Sequence, residues 1–376
     1  MARGVVITGV GLVTPLGRSP GEILDRIGRG EVVASTPPFD PSAFACPRFA
    51  PIDDFDAEQY FPENKTLRLM NRDAQLAVVA ARLAMHDAAL VAGETYPSEA
   101  IALYGATGLA GMPIEELDRP IRFAAGPDGS LDLKRFGVVA LKRTRPVLSF
   151  KILANMPICF VSIFESICGP NAVYTPWEGQ GAQAIAAGVR AVRRGDVPVA
   201  LVGGCDVKTR LMSFVALEQL GAFDSWRQHG TGCVPGEGAA FLVIEEERQA
   251  VARSARIYAR IDRFAIRSRR PGETPGKAFS TMLSGLDAGG AGTVVASSNG
   301  DPGVCDAEGE ALAQAGLDPQ LVIRPKSHLG DLFAAAAAVQ LGLGAELALH
   351  NGSSRKVLAN CCGFGSQQAA FALEAP

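Results

Sequence analysis

The chain has 376 residues, of which 48% are hydrophobic, and it carries 36 Lys and Arg against 39 Asp and Glu. This length and composition predict a globular protein with a large core, and the balanced charge gives no support for nucleic acid or an anionic membrane as the main partner. No apolar run reaches the roughly eighteen residues of a membrane span, and the chain starts with a strand pattern instead of a cleavable signal, so we expect a cytoplasmic location.

Ten segments are predicted as strands, five in each half of the chain. In chain order, the first half contains "GVVITGVG", "AIALYGATG", "AVYTPW", "PVALVGGCDV" and "AAFLVIEE". The second half contains "IYARIDRFAI", "TVVASSNG", "LVIRPKS", "KVLANCCGF" and "QAAFALE". The third strand of each half precedes a helix rich in small residues, "GQGAQAIAAGVRAVRRGD" and then "LFAAAAAVQLGLGAELALH". Helices that are slim and apolar all round are suited to burial between sheets.

This repeated order predicts an α/β protein with two similar halves, residues 1–250 and 251–376. We expect two mixed β-sheets with helices between and outside them. Residues 115–160 interrupt the first half with the polar, Pro- and Arg-containing sequence "RFAAGPDGSLDLKRFGVVALKRTRP". This segment is predicted to be an excursion over the surface.

Two carboxylates fall at corresponding places of the repeat. Glu178 begins the first slim helix, and Asp331 lies at the start of the second. An anion at a helix N-terminus is stabilised by about 0.3–1 kcal/mol when exposed. Enzymes with a strand–turn–helix unit also place a nucleophile at this position, in the turn where the helix begins. The residues alone leave a capping role and a chemical role open.

Several segments carry a family resemblance over nearly the whole chain. They are "GVVITGVGLVTPLG", "FDPSAF", "LRLMNRDAQLAVVAARLAMHDAAL", "ANMPICFVSI", "GPNAVYT", "AIAAGVRAVRRGDVPVALVGGCD", "VPGEGAAFLVIEE", the "KS" before the second slim helix, and "GFG". In order and spacing they resemble the β-ketoacyl synthases. The resemblance implies a thiolase fold, a duplicated five-layer αβαβα arrangement with two mixed β-sheets.

The resemblance also implies a nucleophilic Cys and two His residues, and all three positions are altered here. By spacing they fall on Glu178, Ser297 and Asp331, whereas Lys326 and Phe364 are retained. A carboxylate cannot replace the thiolate that accepts an acyl chain. Two carboxylates about 4 Å apart would repel each other by roughly 4 kcal/mol at an effective dielectric near 20, and they would also repel a malonyl donor. We therefore expect no independent condensing activity.

Within this family the chain is most similar to the chain length factor, the inactive β subunit of type II polyketide ketosynthase heterodimers. The resemblance implies an active β-ketoacyl synthase as partner and an acyl carrier protein as second partner. It also implies a tunnel for polyketide, polyene or fatty-acyl chains. The chain itself is expected to need no cofactor, while its partner acts on phosphopantetheine-linked acyl chains. The alternatives are a malonyl-carrier-protein decarboxylase that primes chains, and an altered acid–base enzyme that uses Glu178 and Asp331.

The resemblance further implies that the "AVYTPW" strand pairs with the partner's equivalent strand, which would cover an open sheet edge. The residues expected at the tunnel or interface are Met112, Ile114, Leu117, Met156, Phe160, Tyr174 and Trp177. Ordinary interface packing is an alternative role for them. A docking face for an acidic carrier protein, or solvated surface, is expected at Arg68, Arg72, Lys142, Arg143 and Arg145. The scattered cysteines lack metal-ligand spacing and are expected to be buried thiols.

Overall fold

The structure is a computed structural model that describes residues 3–61, 65–109, 114–143, 147–286, 291–316, 322–350 and 356–376. Within these ranges each predicted strand segment forms a strand: β1 (Val5–Val13), β2 (Ile101–Thr107), β3 (Asn171–Tyr174), β4 (Val199–Val207), β5 (Glu237–Glu246), β6 (Ala259–Ser268), β7 (Ala291–Val295), β8 (Val322–Ile323), β9 (Lys356–Cys361) and β10 (Gln367–Glu374). The helices are α1 (Pro20–Gly28), α2 (Arg72–Asp87), α3 (Ile114–Ala124), α4 (Leu133–Arg135), α5 (Leu148–Ile152), α6 (Met156–Phe164), α7 (Glu178–Arg194), α8 (Leu211–Gln219), α9 (Asp224–His229), α10 (Glu247–Ala252), α11 (Pro275–Leu286), α12 (Pro302–Gln314), α13 (Lys326–Leu329) and α14 (Ala336–His350).

The strands form a mixed sheet in the order β3-β2-β4-β5-β1-β6-β10-β9-β7-β8. In the first half, β2 is parallel to β3 and β4, and β5 is antiparallel to β4 and β1. In the second half, β7 is parallel to β8 and β9, and β10 is antiparallel to β9 and β6. The two halves therefore repeat one strand order. They join where Val6 and Ile7 pair with Arg260 and Ala259, so the two predicted sheets are continuous at this junction.

The two slim helices, α7 and α14, lie together in the centre of the protein. Their buried residues share one core cluster with residues of β1, β4, β5, β6, β9 and β10, so they contact strands of both halves. Small residues are required in this layer: a Cβ at Gly188 would lie 2.3 Å from Val202 Cγ1. The stretch Phe333–His350 has the length and composition of a membrane span, contrary to the sequence-based expectation, but 78% of it is buried inside the protein. It is a core helix.

Two outer layers complete the α/β arrangement that the sequence predicted. Helices α2 and α6 pack on the remaining face of the first half of the sheet, in a cluster that includes Leu76, Phe160 and Leu201. Helices α11 and α12 cover the corresponding face of the second half, where Phe279, Leu312 and other apolar residues are buried. The order of layers is helix, sheet, helix, sheet, helix.

The first half carries a concentration of exposed apolar side chains between β2 and β3. Large apolar residues exposed in this segment are Leu109, Ile121, Leu131, Leu133, Val138, Val139, Leu141, Phe150, Leu153 and Ile163. The segment ends in α6, whose Ile158 and Phe160 are buried. It is followed by β3, the outermost strand of this half of the sheet. An apolar surface thus occurs in the same half as an open sheet edge.

Candidate functional site

Four of the residues that the family resemblance singled out lie together in one buried place. Glu178 is the first residue of α7, Lys326 is the first residue of α13, and Asp331 follows α13. Ser297 follows β7. Glu178, Ser297 and Asp331 are at most 1% exposed, and Lys326 is 4% exposed. We call these four residues the carboxylate–lysine cluster.

Lys326 lies at the centre of the carboxylate–lysine cluster. Its Nζ donates to Glu178 Oε2 in a short ion pair and lies 3.4 Å from Asp331 Oδ2. It also donates to Ser297 Oγ at 3.2 Å. Ser297 Oγ in turn lies 2.9 Å from Glu178 Oε1. Both carboxylate oxygens of Glu178 are therefore engaged by side chains of the second half of the chain.

Asp331 is tied to the turn that leads into α14. Its Oδ1 accepts from the backbone N–H of Phe333 at 2.9 Å, and its Oδ2 accepts from Asn299 Nδ2 at 3.2 Å. Cys233 Sγ lies 3.9 Å from the same Oδ2. These contacts fix Asp331 as a local acceptor beside Lys326.

Ser297 is held by a buried acid that the sequence reasoning missed. Ser297 Oγ accepts from the backbone N–H of Cys362 at 2.7 Å. Glu308, 1% exposed, accepts from the backbone N–H groups of Ser297 and Ser298 at 2.9 and 2.7 Å and from Asn360 Nδ2 at 2.7 Å. Its only signal in the sequence is an acid among small residues, in "CDAEGEAL", and acids there are usually exposed.

The electrostatics of the carboxylate–lysine cluster differ from the expectation drawn from the sequence. Burial raises the pKa of Glu178 to about 7, Lys326 opposes this shift and Asp331 adds to it. Burial alone would lower the pKa of Lys326, but Asp331 and Glu178 outweigh it, so the net direction is upward and the ammonium stays charged. Repulsion between the two carboxylates is present, but Lys326 contacts both of them and opposes it, which the sequence-based expectation left out.

Neighbouring groups do not supply a ready nucleophile and base. Burial, followed by the charge of Asp331, raises the pKa of the Cys233 thiol well above its usual range, so it remains an unreactive thiol. His328 Nδ1 lies 2.7 Å from the backbone oxygen of Glu31, which directs the ring toward the segment after α1. The carboxylate–lysine cluster itself contains no thiol, and its Glu178 lies against Lys326 and Ser297.

Aromatic rings lie beside the carboxylate–lysine cluster. Trp177 immediately precedes Glu178, and its ring centroid lies 5.0 Å from Phe364 and 6.0 Å from Phe333. The backbone next to Phe364 approaches the acid closely, because a Cβ at Gly363 would lie 2.3 Å from Glu178 Oε2. Of the expected tunnel residues, the structure thus places Trp177 at the site.

Two other expected tunnel residues lie elsewhere: Phe160 is buried and Met156 half-buried in α6, where both pack toward α2. Tyr174, half-buried at the end of β3, packs with Ala184 of α7 and with Ala334, the residue after Phe333. Met112 and the side chains of Ile114 and Leu117 lie outside the described part of the chain.

The basic residues expected at a docking face are also separated. Arg72 is paired with Glu237 at 2.7 Å, so it is occupied inside the fold. Arg68 lines a groove of about 690 Å³ together with Phe55 and Lys65. Lys142 is exposed, whereas Arg145 and the side chain of Arg143 lie outside the described part.

Among curated proteins, the chain is similar to 3-oxoacyl-[acyl-carrier-protein] synthase 2 of several bacteria. It is 29% identical to the Synechocystis sp. protein over 280 residues, which cover 70% of this chain and 62% of that relative, less than two thirds of its length. It is 26% identical to the Vibrio cholerae protein over 365 residues, covering 90% of this chain and 84% of that relative.

Solved structures show the same fold. A β-ketoacyl synthase from Burkholderia phymatum superimposes with a TM-score of 0.79 at 22% identity, covering 100% of both chains. The ishigamide ketosynthase/chain length factor superimposes with a TM-score of 0.77 at 22% identity, again covering 100% of both chains. The predicted α/β thiolase fold is thereby confirmed. Residues 2–250 match the family described as "Beta-ketoacyl synthase, N-terminal domain". The chain therefore belongs to the β-ketoacyl synthase family.

Proposed function

We propose that the chain is a non-catalytic chain length factor, a subunit that pairs with an active β-ketoacyl synthase and shapes the tunnel for the growing acyl chain. The observation that carries this proposal is the carboxylate–lysine cluster. Glu178 stands where the resemblance implies a nucleophilic Cys, and Ser297 and Lys326 engage both of its oxygens. Condensation through a covalent thioester needs a thiolate at that place.

The relatives described above are named as condensing enzymes. Their names do not argue against this proposal, because proteins of one family can differ in activity. Activity depends on the site, and the site of this chain has an acid, a hydroxyl and an acid at the three positions. The Lys326 ammonium forms ion pairs with Glu178 and Asp331. It is therefore not free to stabilise a substrate oxyanion.

The surface supports a subunit role. Exposed apolar side chains such as Leu133 (74% exposed) and Val138 (57% exposed) lie between β2 and β3, in the half whose outer strand is β3. Exposed apolar patches and open strand edges are characteristic of surfaces that bind another protein. Two of the similar solved structures are described as ketosynthase and chain length factor pairs, the ishigamide pair and PfaC.

We propose an acyl carrier protein as the second partner. One similar solved structure is described as a type II PKS acyl-carrier protein in complex with its ketosynthase, and this supports the proposal. The groove lined by Phe55, Lys65 and Arg68 also has Asp56 and Glu58 in its lining, so its charges balance and it does not by itself favour an acidic protein. We propose no cofactor for this chain and a cytoplasmic location.

The test is reconstitution. The chain is purified alone and with a ketosynthase that keeps its Cys and both His residues, then supplied with acyl- and malonyl-carrier protein. We expect a stable heterodimer, condensation by the pair, and no condensation by the chain alone. Release of carbon dioxide from malonyl-carrier protein by the chain alone would instead support the priming decarboxylase. Failure to pair with any such ketosynthase would overturn the subunit role.

A further inference from the structure

We propose that Trp177, Phe333 and Phe364 close the chain's own site, so that a thioester-linked acyl arm does not enter it and reaches the complex only through the partner subunit. The identity of the excluded molecule rests on the proposed function. The closure itself rests on contacts within this chain. We call the three rings the aromatic cover.

The loop that carries Phe364 lies directly against the start of α7. A Cβ at Gly363 would lie 2.3 Å from Glu178 Oε2, and one at Gly179 would lie 2.4 Å from Gln367 Cβ. Gln180 Nε2 donates to Gln367 Oε1 at 2.9 Å. Because the loop backbone contacts the start of α7 on both sides of Phe364, no gap of substrate size separates it from the acid.

The rings of the aromatic cover contact one another through Trp177. Trp177 and Phe364 form an edge-to-face pair with centroids 5.0 Å apart, and Trp177 lies 6.0 Å from Phe333. Phe333 is fully buried and also lies under the ammonium of Lys208, 5.7 Å from its centroid. Trp177 and Phe364 are half-buried, whereas Glu178, which follows Trp177 in the chain, is 1% exposed. The proposed closure places these two rings between the cluster and solvent. Paired aromatic rings of this kind stabilise each other beyond the area that they bury.

The backbone of Phe333 has an unusual conformation. Its φ of 45° lies in the left-handed region, which non-glycine residues rarely adopt. The conformation is held by the hydrogen bond from its N–H to Asp331 Oδ1 at 2.9 Å. The residue that anchors this ring thus belongs to the carboxylate–lysine cluster, which couples the position of the aromatic cover to the ions beneath it.

The experiment measures access directly. Glu178→Cys places a thiol beside the Lys326 ammonium, which stabilises the thiolate and favours alkylation wherever reagent can reach it. The protein is treated with iodoacetamide, and each cysteine is quantified by peptide mass spectrometry. The exposed Cys168 is the internal reference, and the buried Cys205 and Cys361 report loss of the fold. The assay requires neither a partner nor a carrier protein.

We expect the introduced thiol to react at least about a hundredfold more slowly than Cys168, because reaction then requires local opening. Adding Trp177→Ala or Phe364→Ala should bring its rate to within about tenfold of Cys168, with Cys205 and Cys361 still protected. Phe44→Ala is the matched control: Phe44 packs in the same apolar cluster, but its ring pairs with Phe39 and Phe214, so its removal should leave the labelling rate unchanged.

Two results would overturn the closure. One is rapid labelling of Glu178→Cys with the aromatic cover intact, which would mean that the site is open. The other is slow labelling after removal of either ring, which would mean that the rings are not the barrier. If Trp177→Ala also makes Cys205 and Cys361 reactive, that variant has lost its fold. The labelling rate of Glu178→Cys combined with Phe364→Ala then tests the closure. Any of these results leaves the pairing and condensation test unaffected, so the two proposals fail separately.

Discussion

At the scale of single residues, Lys326 explains how the fold tolerates two buried acids. A buried charge without a partner is strongly unfavourable, whereas a paired and hydrogen-bonded one is tolerated. The Lys326 side chain is 2% exposed and lies against both Glu178 and Asp331. The lysine therefore acts as the counter-ion of the two buried acids.

Replacing Lys326 should be costly. We expect Lys326→Met to lower the free energy of unfolding by about 3–5 kcal/mol, because it leaves two carboxylates buried without their cation. Urea denaturation followed by circular dichroism measures this. Lys277→Met, at an exposed position of α11, is the matched control and should change stability by less than about 0.5 kcal/mol. Equal effects of the two substitutions would show that Lys326 has no special electrostatic role.

Glu178 should make stability depend on pH. A carboxyl whose pKa rises from 4.5 to about 7 on folding adds stability that is fully present below pH 4.5 and is lost as the pH rises through about 7. The full change is on the order of 3 kcal/mol. We therefore expect wild type to lose about 2–3 kcal/mol of stability relative to Glu178→Gln between pH 5 and pH 8 in urea titrations. A difference that is the same at both pH values would contradict the assigned shift.

At the scale of elements, the slim helix α7 shows why small residues recur between the two halves of the sheet. A Cβ at Gly188 would meet Val202 Cγ1 at 2.3 Å and Ile244 Cδ1 at 3.1 Å. The helix therefore packs at a distance that only glycine permits at this point.

Gly188→Ala should destabilise the protein by about 1–3 kcal/mol through overpacking. Gly285→Ala in α11 is the matched control, because its Cβ would meet nothing within 4 Å. Alanine is the better helix former, so this control should be stabilising by up to about 1 kcal/mol. Thermal unfolding of both variants distinguishes the two outcomes. Stabilisation by both would mean that α7 can move away from β4 and β5 without cost.

The apolar segment between β2 and β3 should carry the partner contact. We expect Leu133→Asp with Val138→Asp to leave the monomer folded, since both side chains are exposed, and to weaken binding to the ketosynthase by at least about tenfold. Sedimentation of the mixed subunits measures the binding. Val251→Asp on α10, where the side chain is 61% exposed, is the matched control and should leave binding unchanged. Unimpaired binding of the double variant would place the contact elsewhere.

At the scale of the whole molecule, the site exists because the two halves meet. Glu178 comes from the first half of the chain, and Ser297, Lys326 and Asp331 come from the second. The β1–β6 pairing and the shared core of α7 and α14 hold the halves in one body. A substitution at Glu178 is therefore expected to change the electrostatic environment of Asp331, because the Lys326 ammonium contacts both carboxylates.

The sequence by itself determined the ten strands, both slim helices and the α/β class, and the resemblance drew attention to Glu178, Ser297 and Asp331. These follow from apolar periodicity, small-residue runs and the spacing of family segments, all of which are local to a stretch of chain. The same local signals placed Glu178 and Asp331 at corresponding ends of the repeat. These local signals did not reveal that the Lys326 ammonium contacts both acids.

Only the tertiary structure decided what surrounds those acids. Lys326 and Glu178 are 148 positions apart, and Ser297 and Glu178 are 119 apart, so their contacts depend on how the halves dock. The burial of Glu308, the aromatic cover and the β1–β6 junction have the same origin. Electrostatic energies depend on distance and burial, and pairs far apart in sequence acquire both only when the core forms.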